Sequence, residues 1–190
     1  MRKIVITEFL TLDGVMEDPG GSESLDRGGW SFQLPDPDGA AYKLKELQDH
    51  DALLLGRVTY EGFAAAWPSR TDDAGFADKF NRMPKFVVTS KPDELTWENS
   101  SQIGGDGDLA AALTALQHGP GGDLIVHGSG TLARWLLAND LADELRLMIF
   151  PIVLGAGQRL FGETDAALTL SRTHVQPLES GTVIVHYGRR

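Results

Sequence analysis

What most constrains this chain is an alternation of short, β-prone apolar runs with helical stretches, the apolar runs closing on polar, often glycine-bearing turns. Residues 3–10 alternate β-branched and aromatic positions and end at Thr11-Leu12-Asp13-Gly14. A helix capped near Asp38 and running to about residue 50 precedes a buried strand at 52–55. Gly56-Arg57 opens a helix over 58–66, stopped by Pro68, and a further helix covers 74–81. Strands are expected at 85–89 and, weakly, 101–103, then a helix over 108–117 and a strand at 123–127. Gly128-Ser129-Gly130 leads into a helix over 131–139, followed by a strand at 144–150 and two closing strands near 167–175 and 182–187. Such an order predicts an α/β, three-layer architecture: a mostly parallel mixed sheet with helices on both faces. The last two strands, joined by the short turn 178–181, predict a C-terminal antiparallel hairpin. No repeat, low-complexity tract or linker interrupts residues 1–190, so one domain is expected, which suits a length of 190.

Composition narrows the chemistry. With 17 Lys+Arg against 27 Asp+Glu the formal charge is −10, which repels phosphate backbones and anionic lipid, so no nucleic acid and no membrane are expected as partners. The chain lacks cysteine, excluding disulfides, thiolate metal centres and a Cys nucleophile. Its five histidines, at 50, 118, 127, 174 and 186, show no ligand spacing, and no metal is expected. The first ten residues are too short and interrupted in apolar character for a signal peptide or span, so a cytoplasmic protein is the default expectation.

In open α/β sheets ligands bind beyond the carboxyl ends of the parallel strands. Those ends carry Asp13-Gly14, Gly56-Arg57, Thr89-Ser90 and Gly128-Ser129-Gly130. Gly128 to Ala133 fits G-x-G-x-x-G/A between a strand and a helix, where backbone N–H groups and a helix N-terminus can hold a pyrophosphate. A turn needed only for packing satisfies the same pattern. The motif follows several strands instead of the first, and Asp143 and Glu144 precede the next strand, so a Rossmann topology is not expected. Arg57 and Thr59, at the first turn of a helix, can both reach a phosphate, and Ser90-Lys91 offers donors and charge to another. Ser129 lies on a strand-to-helix turn, but residues 127 and 131 are His and Thr, so the nucleophile elbow of a hydrolase is not formed. The long polar loop 17–37 carries Trp30, Phe32 and Leu34, a length associated with function or mobility.

The ordered set Thr11-Leu12-Asp13-Gly14, residues 55–61, Val87-Val88-Thr89-Ser90-Lys91, His127-Gly128-Ser129-Gly130, and residues 151–157 with Leu160-Phe161 resembles the dihydrofolate reductase-like superfamily. Within it the resemblance is closer to the branch holding the riboflavin-biosynthesis reductase domain. That resemblance implies NADPH lying across the strand ends, with Gly56, Arg57 and Thr59 at the phosphates, Thr89 and Ser90 at the adenosine end, and Gly128, Gly130 and Thr131 at the pyrophosphate. Gly14 and Val15 would sit beside the nicotinamide and Asp13 would face the substrate as acid or orienting group. The implied activity is NADPH-dependent reduction of a pteridine- or aminopyrimidine-like heterocycle, or of another C=N or C=O compound. The alternative is a non-catalytic nucleotide-binding module on the same fold. The Trp-x-Leu-Pro register of dihydrofolate reductases is broken here, with three residues between Trp30 and Leu34, and the H-x-E…C-x-x-C deaminase signature is absent. Long apolar stretches at 145–154 and 182–187, with few helices after them, and the resemblance together imply a homodimer.

Overall fold

The computed structural model describes residues 1–23, 25–105, 107–162 and 167–190. Its strands are β1 (Ile4–Thr11), β2 (Ala52–Gly56), β3 (Lys85–Thr89), β4 (Ser100–Gly104), β5 (Leu124–His127), β6 (Glu144–Phe150), β7 (Leu170–Pro177) and β8 (Val183–Arg189). They form one sheet in the order β4-β3-β2-β5-β1-β6-β8-β7. Strands β1 to β6 run parallel, whereas β8 runs antiparallel to both β6 and β7. The expected mixed sheet and C-terminal hairpin are therefore present, with β7 at the open edge.

Among the described residues five α-helices cover this sheet: α1 (Pro37–Gln48), α2 (Arg57–Ala66), α3 (Phe76–Arg82), α4 (Leu109–His118) and α5 (Gly130–Ala138). The start of α1 differs from expectation. Asp36, not Asp38, is the cap; its carboxylate accepts the N–H of Gly39 at 2.8 Å, and Pro37 at the first helical position needs no donor. Asp108 caps α4 in the same way, accepting from Ala110 and Ala111.

Side chains on alternate strand positions build a layer on each face. Ile4, Ile6, Leu54, Leu124 and Val126 meet Leu113 of α4 and Leu132 and Leu136 of α5. On the opposite face Leu53, Leu55, Val87 and Ile125 meet Leu47 of α1, Tyr60 of α2 and Phe80 of α3. Burial on both faces is what selects the nearly uninterrupted apolar sequence of β2 and β5. A third cluster, including Val15, Trp30, Met148, Phe150 and Ile184, closes the space beneath the loop after β1. Trp30 is fully buried, donates from its indole N–H to Glu17 O at 2.8 Å and packs edge-on against Phe150. No helix among the described residues is long and apolar enough to cross a membrane.

Candidate functional site

Because β1 to β6 are parallel, Thr11, Gly56, Thr89, Gly104, His127 and Phe150 end on one edge. The chain leaves β2 through α2 on one face and leaves β5 through α5 on the other, so the two connections diverge and a crevice opens between adjacent strand ends. Across it the backbones approach closely. A Cβ added at Gly56 would lie 3.4 Å from Ser129, and one at Gly128 would lie 3.6 Å from Thr59.

Gly128 and Ser129 both adopt left-handed conformations, with φ of 56° and 60°. Two such residues in succession turn the chain abruptly from β5 into α5. Neither α2 nor α5 has a side-chain cap on its first N–H groups, so both helix N-termini present donors and positive dipole ends to the crevice. One expected donor is already engaged. The N–H of Gly56 donates to Ser129 Oγ at 2.9 Å, so Gly56 ties the two turns together instead of facing a phosphate with its own donor.

The remaining residues divide by exposure. Arg57 is half exposed, with its guanidinium 2.5 Å from Glu61, and Thr131 is exposed at the start of α5. Gly130 lies against Met16, whose Sδ would be 2.8 Å from an added Cβ, so α5 packs on the loop after β1. Thr89 is buried and its Oγ1 accepts the N–H of Lys91, which turns the chain but withdraws that oxygen from a ligand. Ser90 remains exposed, and Lys91 pairs with Glu94 at 2.9 Å.

On the β1 side, Gly14 has φ of 79° and open space where a Cβ would lie. Val15 is fully buried, its N–H donating to Thr11 Oγ1 and its C=O accepting the Thr11 N–H, so it offers a ligand neither its side chain nor a free backbone group. Asp13 is committed to its own chain. Its Oδ1 accepts from Thr11 Oγ1 at 2.7 Å and from Leu154 N at 3.2 Å, and its Oδ2 accepts from Gly155 N at 2.8 Å. The Thr11 hydroxyl and then the Gly155 N–H hold this carboxyl ionised, with its pKa lowered to about 2. Asp13 thus laces the loop after β1 to the loop after β6 and does not hold a proton near neutrality.

Sequence reasoning missed a second polar assembly on the α1 face. His127, Thr7, Arg146, His186 and His174 are register partners on β5, β1, β6, β8 and β7, forming one row across five adjacent strands. Helix α1 lays Tyr42, Lys43 and Glu46 over that row. Burial drives the His127 imidazole to a pKa of about 3, helped by the Lys43 ammonium, so it is neutral. Its Nε2 is buried without a hydrogen-bond partner. Histidine spacing along the chain carries no signal for this, since the row is created by strand pairing.

A cleft of about 250 Å³ is bounded by Leu137, Asp140 and Arg189, and one of about 410 Å³ lies between the loops that follow β1 and β6, bounded by Glu17, Glu23, Asp26, Arg27 and Ala156.

Comparison with known proteins agrees with this architecture. The chain is 25% identical over 189 residues to the uncharacterized protein YyaP of Bacillus subtilis (strain 168), covering 98% of this chain and 94% of that one. A putative riboflavin biosynthesis protein from Shewanella sp. PV-4 superposes with a TM-score of 0.73 at 23% identity, covering 99% of each chain. Dihydrofolate reductase from Enterococcus faecalis, solved with NADP(H), superposes with a TM-score of 0.62 at 17% identity over 99% of this chain and 96% of that one. The pattern of the RibD C-terminal domain matches residues 2–184, nearly the whole length, and the chain therefore belongs to the RibD C-terminal domain family.

Proposed function

We propose that this protein is a reductase that uses NADPH to reduce a C=N or C=O bond in a small aminopyrimidine- or pteridine-like heterocycle. The observation that carries the reading is the pair of uncapped N-termini of α2 and α5 flanking one crevice, with the left-handed Gly128-Ser129 turn between β5 and α5. Family membership and the likeness to dihydrofolate reductase support it.

The residues fit a dinucleotide. Backbone N–H groups at the start of α5, around Gly130 and Thr131, would hold the pyrophosphate, and Thr59 lies beside Gly128 on the α2 side. Arg57 and the Ser90-Lys91 turn supply charge for a further phosphate. Their present partners, Glu61 and Glu94, are surface ion pairs that contribute little and exchange readily. Bound there, NADPH supplies the hydride. The turn at Gly14 leaves room for a flat ring, and Asp13 holds that turn in place through the loop at 154–155. The proton that completes reduction must come from elsewhere, because the Asp13 carboxylate is ionised.

Fluorescence titration tests the cofactor reading: NADPH is expected to bind more tightly than NADH, and Arg57→Ala to weaken NADPH by at most roughly 3 kcal/mol. Equal affinities for the two nucleotides would remove the phosphate role of Arg57. Loss of NADPH absorbance with the ribosylaminouracil phosphate reduced by riboflavin-branch enzymes, or with dihydrofolate, tests the reaction. Tight NADPH binding without oxidation by any such acceptor would mark a nucleotide-binding module instead.

A further inference from the structure

A hydrogen-bonded chain runs beneath α1 from His186 to Lys43. At its outer end the ring of His174, exposed on the open edge strand, lies against that of His186 with centroids 4.7 Å apart. His186 places Nδ1 3.3 Å from Glu144 and Nε2 2.7 Å from the Tyr42 hydroxyl. Tyr42 donates to Glu46 Oε1 at 3.0 Å, and Glu46 Oε2 receives both the Thr7 hydroxyl at 2.9 Å and the Lys43 ammonium. Lys43 Nζ also lies 2.7 Å from Thr7 Oγ1 and 5.2 Å from the centre of the Phe9 ring, close to where β1 ends. Both members of the Lys43–Glu46 pair are almost wholly buried, yet one end of the path meets solvent and the other approaches the strand ends carrying the crevice.

A structural ion pair needs none of this continuity. Glu46 could be neutralised by Lys43 and Arg146 alone, the latter 3.5 Å away, without Tyr42 and His186 completing a route to the surface. Each carrier can also take up a proton and pass one on: imidazole through its two nitrogens, phenol by accepting and donating at its oxygen, and the carboxylate by transient protonation.

We propose that His186, Tyr42 and Glu46 form a proton path from solvent at the hairpin to Lys43. The protein would use it, on the reductase reading above, to supply the proton of the reduction. The balance is simple. Hydride adds to carbon with oxidation of the cofactor, an N–H proton of Lys43 passes to the substrate nitrogen or oxygen, and Lys43 is reprotonated through Glu46, a carboxylate at rest that takes up the proton from Tyr42 and passes it on. Tyr42 is replenished from His186, and one proton per turnover enters from solvent at His186, whose side chain is 15% exposed. The titratable and charged groups facing the path are Tyr42, Lys43, Glu46 and His50 from α1 and the loop after it, Glu8 from β1, His127 from β5, Glu144 and Arg146 from β6, His186 from β8 and His174 from β7.

The path is testable without a substrate. In protein labelled with ¹⁵N-lysine, exchange of the Lys43 Nζ protons with water is read by NMR, with Lys43→Met assigning the signal. Tyr42→Phe keeps the ring and removes the only oxygen joining His186 to Glu46, so exchange is expected to slow at least tenfold, including the case where a signal too fast to see in the wild type emerges in the variant. Exchange unchanged within twofold, faster exchange, or a signal absent from both proteins would overturn the path and leave the row as packing. Should Tyr42→Phe perturb the amide spectrum, His186→Gln breaks the same chain one step outward while retaining hydrogen-bonding capacity, and the same slowing is expected. NADPH titration stands apart from this: a protein that fails to bind NADPH but shows the slowing loses the reductase reading and keeps the proton path.

Discussion

Asp13 and Glu8 are carboxyl groups with opposite responses to pH, and the difference lies in what surrounds each oxygen. Hydrogen bonds from Thr11 and from the backbone at Gly155 lower the Asp13 pKa from 3.8 to about 2. Its contribution to stability is therefore present above the ordinary value and is lost as pH falls through about 2. Asp13→Asn is expected to lower the melting temperature near pH 7, with the difference vanishing in strong acid, and to leave NADPH affinity within a few-fold. Glu8, buried with Oε1 unpartnered, is raised from 4.5 to about 8 chiefly by burial. The folded state holds its proton, so stability is full below the ordinary value and falls as pH rises through about 8. Glu8→Gln should match the wild type near pH 4 and melt higher near pH 9; scans across that range decide both cases, and a wild-type advantage at pH 9 would show that the ionised carboxylate is used. The Asp-Gly pair was legible as a turn ending a strand, and Thr11 is a local partner, but the backbone donors to its carboxylate lie 141 and 142 residues away, beyond any local pattern. Glu8 gave still less, because one acid in an apolar alternation reads as an exposed strand position until both sheet faces are known to be covered.

Turns and helix starts carry the strongest correspondence between sequence and element, since glycine and capping residues act locally. Strands β3 and β6 lie where β-branched and aromatic runs place them, and α5 follows directly from its glycine-bearing turn. Strand β7 begins at Leu170, later than the apolar pattern suggests, and α1 is capped by Asp36, with Pro37 at its first position, two residues before Asp38. The crevice between α2 and α5 depends on these local signals and yields a paired prediction. Gly128→Ala places a Cβ at a φ of 56°, where an L-residue is strained even though the space against Thr59 is ordinary. A loss of about 1–2 kcal/mol in urea unfolding is expected, together with weaker NADPH binding. Gly62, inside α2 with open space around it, should behave oppositely, Gly62→Ala gaining about 0.5–1 kcal/mol with NADPH affinity unchanged. Equal effects of the two substitutions would show that the Gly128 turn is no more constrained than an ordinary helical glycine.

At the scale of the molecule, one sheet with two open edges leaves the question of what meets them. The β4 edge is short and polar, carrying Ser100, Ser101 and Gln102. The β7 edge is longer, exposed along Arg172–Val175, and irregular between Arg172 and His174, which hinders continuous backbone pairing with another strand there. Much of the apolar length of β6 and β8 that suggested association is covered within the chain: Leu145, Leu147, Met148, Phe150, Ile184 and Val185 are all buried. On and beside β7, Leu168 and Val175 are 53% and 45% exposed, and Val153 beyond β6 is 67% exposed. A two-fold dimer through the β7 edge would bury Leu168 and Val175 twice. We propose that homodimer, and light scattering at micromolar concentration should then report about twice the 20.6 kDa chain mass. Val175→Glu places a charge in the contact while pointing into solvent in the isolated chain, so it should give a folded monomer with an unchanged melting profile at low concentration. A wild-type monomer at that concentration, with or without NADPH, would mean that the irregular β7 edge is a finished surface and that the burial of β6 and β8 within one chain is sufficient.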